Sequence, residues 1–195
     1  MLTKEAFNYG KVEQKTALRN LLYAVLYAVM TAIVCVTGSF HPFLFVCYQI
    51  TAGILLSGIV ITAFRRTKAP GTAVCLFLGI LLLLLAIQDA VLWHVAPLIV
   101  ITVLAEAVRA ACRYSLNGDV IATALMSFSS FGYYGQIWFN RAYTYECAVE
   151  EMPAGYADTL MALSPAWALP AAVVIGVILS VYISGLTAKL FKLEK

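Results

Sequence analysis

Charge is what this sequence has least of. Only 12% of its 195 residues are Asp, Glu, Lys or Arg, against 63% hydrophobic. A soluble domain carries about 25% charged residues, so a water-soluble enzyme or a nucleic-acid-binding module is excluded at the outset. Histidine occurs twice, as His41 and His94. The five cysteines, Cys35, Cys47, Cys75, Cys112 and Cys147, form no CxxC pair and read as small apolar packing residues. HExxH, GxSxG and Walker A motifs are absent. No catalytic residue, cofactor or structural metal is therefore expected, and the net charge of +3 is no signal for nucleic acid.

What is present is apolar length. Six runs, at about 17–38, 43–64, 71–88, 92–112, 120–139 and 165–188, are separated by charged or turn-forming segments. About 20 apolar residues in a helix cross a bilayer core of about 30 Å. The expected fold is a single all-α membrane domain spanning 1–195, a compact bundle of six transmembrane helices. The first run is too long for a signal peptide and has no small-residue cleavage site, so it reads as a retained span. Ser115-Leu116-Asn117-Gly118 reads as a turn, and residues 140–163 as the longest loop.

Charge placement orients the bundle. With the N-terminus in the cytoplasm, Lys4, Lys11, Lys15, Arg19, Arg65, Arg66, Lys68, Arg109, Arg113, Lys189, Lys192 and Lys195 all fall inside. That is twelve of the 13 basic residues; Arg141 alone falls outside. The positive-inside rule then puts both termini in the cytoplasm. The outer side carries Asp89, Glu146, Glu150, Glu151 and Asp158, both histidines, and all three tryptophans, Trp93, Trp138 and Trp167.

Three patterns point to packing or binding. In the last run Ala168, Ala172, Gly176, Ser180 and Ser184 recur every fourth residue, so one helix face lets a neighbour approach backbone to backbone. Ala24, Ala28 and Ala32 do the same in the first run, either for a neighbouring span or for a separate membrane partner. Residues 127–141 are polar and glycine-rich for a membrane span. Ser127, Ser130, Tyr134 and Trp138 share a face, and Gly132 and Gly135 permit close approach. Glu106, with Arg109 three residues on, reads as a structural ion pair; no second acid is expected in the inner half to make a proton relay.

The candidate substrate site on the outer side comprises His94, Trp93, Tyr134, Trp138, Gln136, Asn140, Arg141, Tyr156 and Asp158, with 140–163 as a lid. Arg141 is open to two roles. It holds an anionic group with its planar fork, or it pairs with Glu146 or Glu150 and orders the loop.

The stretch Tyr156-Ala157-Asp158-Thr159-Leu160, followed by Ser164-Pro165-Ala166-Trp167-Ala168-Leu169-Pro170, resembles the end of the Trep_Strep family. Members of that family are similar to substrate-binding S components of energy-coupling factor (ECF) transporters. Span count and loop lengths extend the likeness over nearly the whole chain. The alanine repeat of the first span matches the AxxxA pattern by which S components dock on their coupling subunit. The resemblance implies a micronutrient, vitamin-like or chelated metal, captured from outside a bacterial cell. It also implies a transmembrane coupling subunit and two ABC ATPases as partners, which agrees with the missing Walker A. Two other readings stay open: an ATPase-independent protein holding haem or metal through His41 and His94, and a structural membrane scaffold.

Overall fold

The computed structural model describes residues 2–193. Lys195 lies outside the described residues, as do the side chains of Lys4 and Lys11. All regular structure among the described residues is helical. Helix α1 runs Leu2–Phe40. The second apolar run is α2 (Pro42–Val46), α3 (Tyr48–Leu55) and α4 (Ser57–Thr67), with single-residue irregularities at Cys47 and Leu56. Then follow α5 (Thr72–Ala86), α6 (Leu92–Ala111), α7 (Leu116–Met126), α8 (Phe131–Tyr134), α9 (Gln136–Phe139), α10 (Arg141–Glu151), α11 (Tyr156–Leu163) and α12 (Ala168–Leu190).

Four segments are long and apolar enough to cross a membrane: Lys15–Phe40, Tyr48–Thr67, Leu92–Ala111 and Ala168–Leu190. Helix α5 is apolar but has 15 residues, about 22 Å of rise. Four of the six expected spans thus correspond to membrane-length segments, and the other two runs differ from a single long helix. The third is short, and the fifth is broken between α7 and α8, where residues 127–130 form turns.

Polarity is distributed as lipid demands. Large side chains such as Leu22, Val29, Leu82, Val103 and Ile178 face outward, while Gln49, Ser57, Thr72, Thr123, Ser127, Ser180 and Ser184 are buried. The small-residue stripe of α12 is buried from Ala168 through Ala188. It lies directly on α3 and α4: a Cβ on Gly53 would sit 2.3 Å from the Gly176 carbonyl oxygen. Four residues along each helix, the Ser57 and Ser180 hydroxyls meet at 2.6 Å. Contact at that range needs glycine on one side and small hydroxyls beside it.

The break after α7 leaves backbone groups that the membrane interior would penalise, so they are satisfied locally. Phe128, Ser129 and Phe131 make i→i−3 turn bonds. The Tyr27 hydroxyl donates to the Met126 carbonyl at 2.6 Å. Buried Gln49 donates to Ser127 Oγ at 2.9 Å and accepts from the Tyr134 hydroxyl. Irregular backbone at membrane depth survives only when enclosed by protein in this way.

At the basic end four charges lock the helices together. Asp119 and Arg109 are fully buried and Arg65 nearly so. Arg109 Nε donates to Asp119 Oδ1 at 2.9 Å, and Arg65 Nη1 to Asp119 Oδ2 at 3.3 Å. Arg109 Nη1 reaches Glu106 Oε1 at 3.0 Å, which also accepts from the Ala73 amide at 2.8 Å. Phe64 and Tyr114 rings cover the Arg109 guanidinium at 4.0 and 5.2 Å. The expected Glu106–Arg109 pair is present. The expectation of no second acid is overturned, since Asp119 supplies one. Nor is Ser115–Gly118 a free turn: Ser115 caps α7, its side chain accepting from the Gly118 amide at 3.3 Å, and Asn117-Gly118 lie in the first helical turn. The chain reverses just before, at Arg113 and Tyr114, which both adopt positive φ.

Candidate binding cavity at the aromatic end

Residues 140–163, expected as a loop, form a helical hairpin of α10 and α11. It lies across the end of the bundle opposite the basic cluster, and several contacts pin it there. Arg141 Nη1 donates to the Ser164 carbonyl at 2.8 Å and to Ser164 Oγ at 3.0 Å; Nη2 donates to the Met161 carbonyl at 2.7 Å. A guanidinium thus caps the last turn of α11, where carbonyls lack helical partners and a positive charge is favoured. Trp138 Nε1 donates to the Pro165 carbonyl at 3.1 Å. The Tyr156 hydroxyl donates to the Gly38 carbonyl at 2.6 Å, tying the hairpin to the end of α1. Burial pushes the Tyr156 phenol up to about 12, so it stays protonated as a donor.

Beneath the hairpin lies a cavity of about 420 Å³. Helix α10 contributes one face, Tyr143, Thr144, Cys147, Ala148 and Glu151, at a spacing that repeats each turn. The α5–α6 connection contributes Gln88 and Asp89, α6 His94, the broken fifth segment Tyr133 and Gln136, and α2 Phe45. Ile87, Asp89, His94 and Tyr133 also border a second chamber of about 300 Å³ that runs toward Thr31, Ala32 and Cys35 of α1.

His94 sits at the junction of the two chambers. Its Nδ1 is 3.1 Å from Asp89 Oδ2 and 3.1 Å from the Asp89 carbonyl. Its Nε2 is 3.2 Å from Gln136 Nε2, which also donates to the Gly132 carbonyl at 3.0 Å. An amide nitrogen only donates, so His94 Nε2 accepts and Nδ1 carries the hydrogen toward Asp89. Gly132 makes this possible: a Cβ there would meet the Trp93 carbonyl oxygen at 2.0 Å, so only glycine lets α8 lie against the start of α6. Tyr133 packs edge-on to the imidazole with ring centroids 5.6 Å apart. On α10 the Tyr143 hydroxyl bonds Cys147 one turn on, which raises its phenol above the ordinary value.

The structure gathers His94, Gln136 and Tyr156 on the cavity wall and places the other expected site residues elsewhere. Tyr134 is buried in the core, stacked on Tyr48 at 5.0 Å. Trp93 is 68% exposed on the outer surface. Trp138 and Arg141 hold the hairpin. Arg141 reaches carbonyls rather than Glu146 or Glu150. Asn140 precedes α10 as its cap residue without a side-chain capping bond. Asp158 accepts from the Tyr145 hydroxyl at 3.0 Å on the hairpin's outer side. His41 caps α2, its Nδ1 accepting from the Phe43 amide at 3.1 Å. Among the described residues no three His, Cys, Asp or Glu side chains gather as a metal site. Asp89, Tyr133, Tyr143, Thr144, Cys147 and Glu151 were not anticipated as wall residues. For the four on α10 the one signal is the i, i+1, i+4, i+8 spacing of Tyr143, Thr144, Cys147 and Glu151 on a helix; Asp89 and Tyr133 lie on other elements.

The alanine face of α1 is divided. Ala24 is buried against α5, where a Cβ on Gly79 would lie 2.5 Å from the Ala24 carbonyl oxygen. Ala28 and Ala32 are half-buried and floor an open apolar groove between α1 and α5, flanked by Val25, Val29 and Leu82. All five cysteines are free thiols.

An all-helical chain with an outward apolar coat and several membrane-length helices is a multi-pass integral membrane protein. The family model of Trep_Strep, described as a hypothetical bacterial integral membrane protein, matches residues 15–193. The chain belongs to that family. No curated protein and no solved structure matches it.

Proposed function

We propose that this chain is the substrate-binding S component of an ECF-type importer in a bacterial cell membrane. In this reading the chain crosses the membrane six times, with both termini and the Arg65–Arg109–Asp119 cluster at the cytoplasmic side. The hairpin-roofed cavity then faces outward. The observation that carries the reading is that cavity, about 420 Å³ with a mixed aromatic and polar wall under a tethered helical lid, the size and lining expected of a small-molecule site. It is built beside a broken helix, as ligand sites in membrane carriers often are.

Capture follows from the geometry. Arg141 ties the start of α10 to the end of α11, and Tyr156 ties the start of α11 to α1, while the face of α10 looks into the cavity, so substrate enters where α10 lifts along its length. The second chamber leads from His94 toward α1. The groove floored by Ala28 and Ala32 offers a coupling subunit a helix-sized apolar seat on the same element. Two ATPases, bound to that subunit, would supply the energy; this chain performs no hydrolysis.

Expression with an affinity tag at near-native level, followed by mild detergent extraction, tests the reading. A coupling subunit and two ATPases should co-purify in fixed proportion. Purification of the chain alone from cells that contain those subunits, in detergents that preserve a known ECF complex, contradicts it.

A further inference from the structure

We propose that the hairpin-roofed cavity selects an organic cation, a flat ring bearing a protonated amine or amidine. This deepens the importer reading and rests on it only for the direction of transport. Two carboxylates border the cavity, Asp89 and Glu151, and among the described residues no lysine or arginine does. The nearest candidate cation by sequence, Arg141, is committed to the Met161 and Ser164 carbonyls. The Asp89 side chain keeps 37% of its surface exposed while contacting His94. The Glu151 side chain, exposed at the end of α10, has no ion pair or hydrogen bond among the described residues.

The rest of the wall fits the same ligand. Phe45, Tyr133, Tyr143 and Tyr156 present aromatic surface. Phe45 and Tyr133 are inclined at 58° with centroids 5.3 Å apart, leaving ring faces rather than a closed stack. Such faces attract cations and stack on flat heterocycles. Two further acceptors on wall side chains, Gln136 Oε1 and Thr144 Oγ1, are shut off from solvent with no partner among the described residues. Turning the Gln136 amide over would not relieve this, because its oxygen would then face the Gly132 carbonyl. A slight rotation of either side chain would offer it to an N–H donor. An anion in this cavity would instead meet two carboxylates of its own sign, both open to solvent.

The test uses the purified full chain in nanodiscs and three probes of one shape: benzamidine, benzamide and benzoate. Calorimetry or ligand-observed NMR should give benzamidine an affinity at least tenfold above benzoate and above neutral benzamide. Glu151→Gln should weaken benzamidine at least fivefold, whereas Glu150→Gln, one residue away and off the cavity wall, should not. Thermal midpoints of both variants report whether each is folded. Benzoate binding as well as benzamidine, no saturable response to any probe, or an unchanged benzamidine affinity in folded Glu151→Gln overturns the proposal. Failure of co-purification with ATPases would remove the importer reading and leave cation selectivity standing; co-purification with anion-selective binding would do the reverse.

Discussion

Asp119→Asn should be the most destabilising near-isosteric change in the molecule. The side chain is fully buried and holds two guanidiniums, Arg109 at 2.9 Å and Arg65 at 3.3 Å. Two positive and two negative side chains balance in this cluster. The substitution leaves a net positive charge, with Glu106 the only remaining acid, already shared between Arg109 and the Ala73 amide. Breaking a buried pair by removing one partner costs about 3–5 kcal/mol. Glu106 remains 18% exposed, so some water reaches the cluster and the lower figure, about 3 kcal/mol, applies. At about 2–4 °C per kcal/mol for a chain of this size, the midpoint should fall by about 6–12 °C. Scanning fluorimetry in one detergent, reading the tryptophans, measures it. Glu106→Gln is the internal comparison and should fall by less than half as much, because Asp119 still neutralises Arg109. An unchanged midpoint in Asp119→Asn, or a larger drop in Glu106→Gln, would refute the assignment of Asp119 as the centre of the cluster.

Tyr156→Phe should cost about 1 kcal/mol at neutral pH through the lost bond to Gly38. The folded-state value is raised to about 12 from 10.0, so the tyrosine's contribution is intact below pH 10 and disappears as pH climbs through 12. Midpoints of wild type and Tyr156→Phe should therefore converge over that window; a constant gap from pH 8 to 12 would count against the buried donor. Arg141→Ala should loosen the hairpin by about 1.4 kcal/mol, hence about tenfold faster limited proteolysis at the 152–155 turn, with the bundle midpoint little changed. Ala28→Trp should abolish uptake and leave ligand affinity within about twofold, because Ala28 floors the open groove rather than the cavity; a parallel loss of affinity would mean that the groove is closed in the working protein.

Apolar length and fourfold repeats were legible because they are local. The α12 stripe read from spacing alone turns out to be the face on Gly53 and Ser57. Helix ends at 38–40, 64–67 and 111–112 fell within a few residues of the apolar boundaries. The polar run 127–141 pointed to something other than a lipid-facing span, but a shared helical face and a broken helix have the same composition. Only Tyr27 and Gln49, about 80 to 100 positions away, show which carbonyls and hydroxyls are taken up. Arg141 stood out in the sequence as the one basic residue away from the basic clusters. Its role was not legible, because the carbonyls it caps are 20 and 23 residues distant. Asp119 is not legible beside an Asn-Gly pair, since a carboxylate near a turn looks solvated until Arg65 and Arg109 are brought to it.

Native mass spectrometry of the protein taken from its own membranes tests the account most directly. Wild type should carry one small molecule per chain, retained through mild desolvation. Thr144→Trp, which fills the space beneath α10, should be folded and bare. A small molecule retained equally by wild type and Thr144→Trp would contradict the assignment of the cavity as the binding site. So would a wild-type chain that carries none and takes up none from a cell extract.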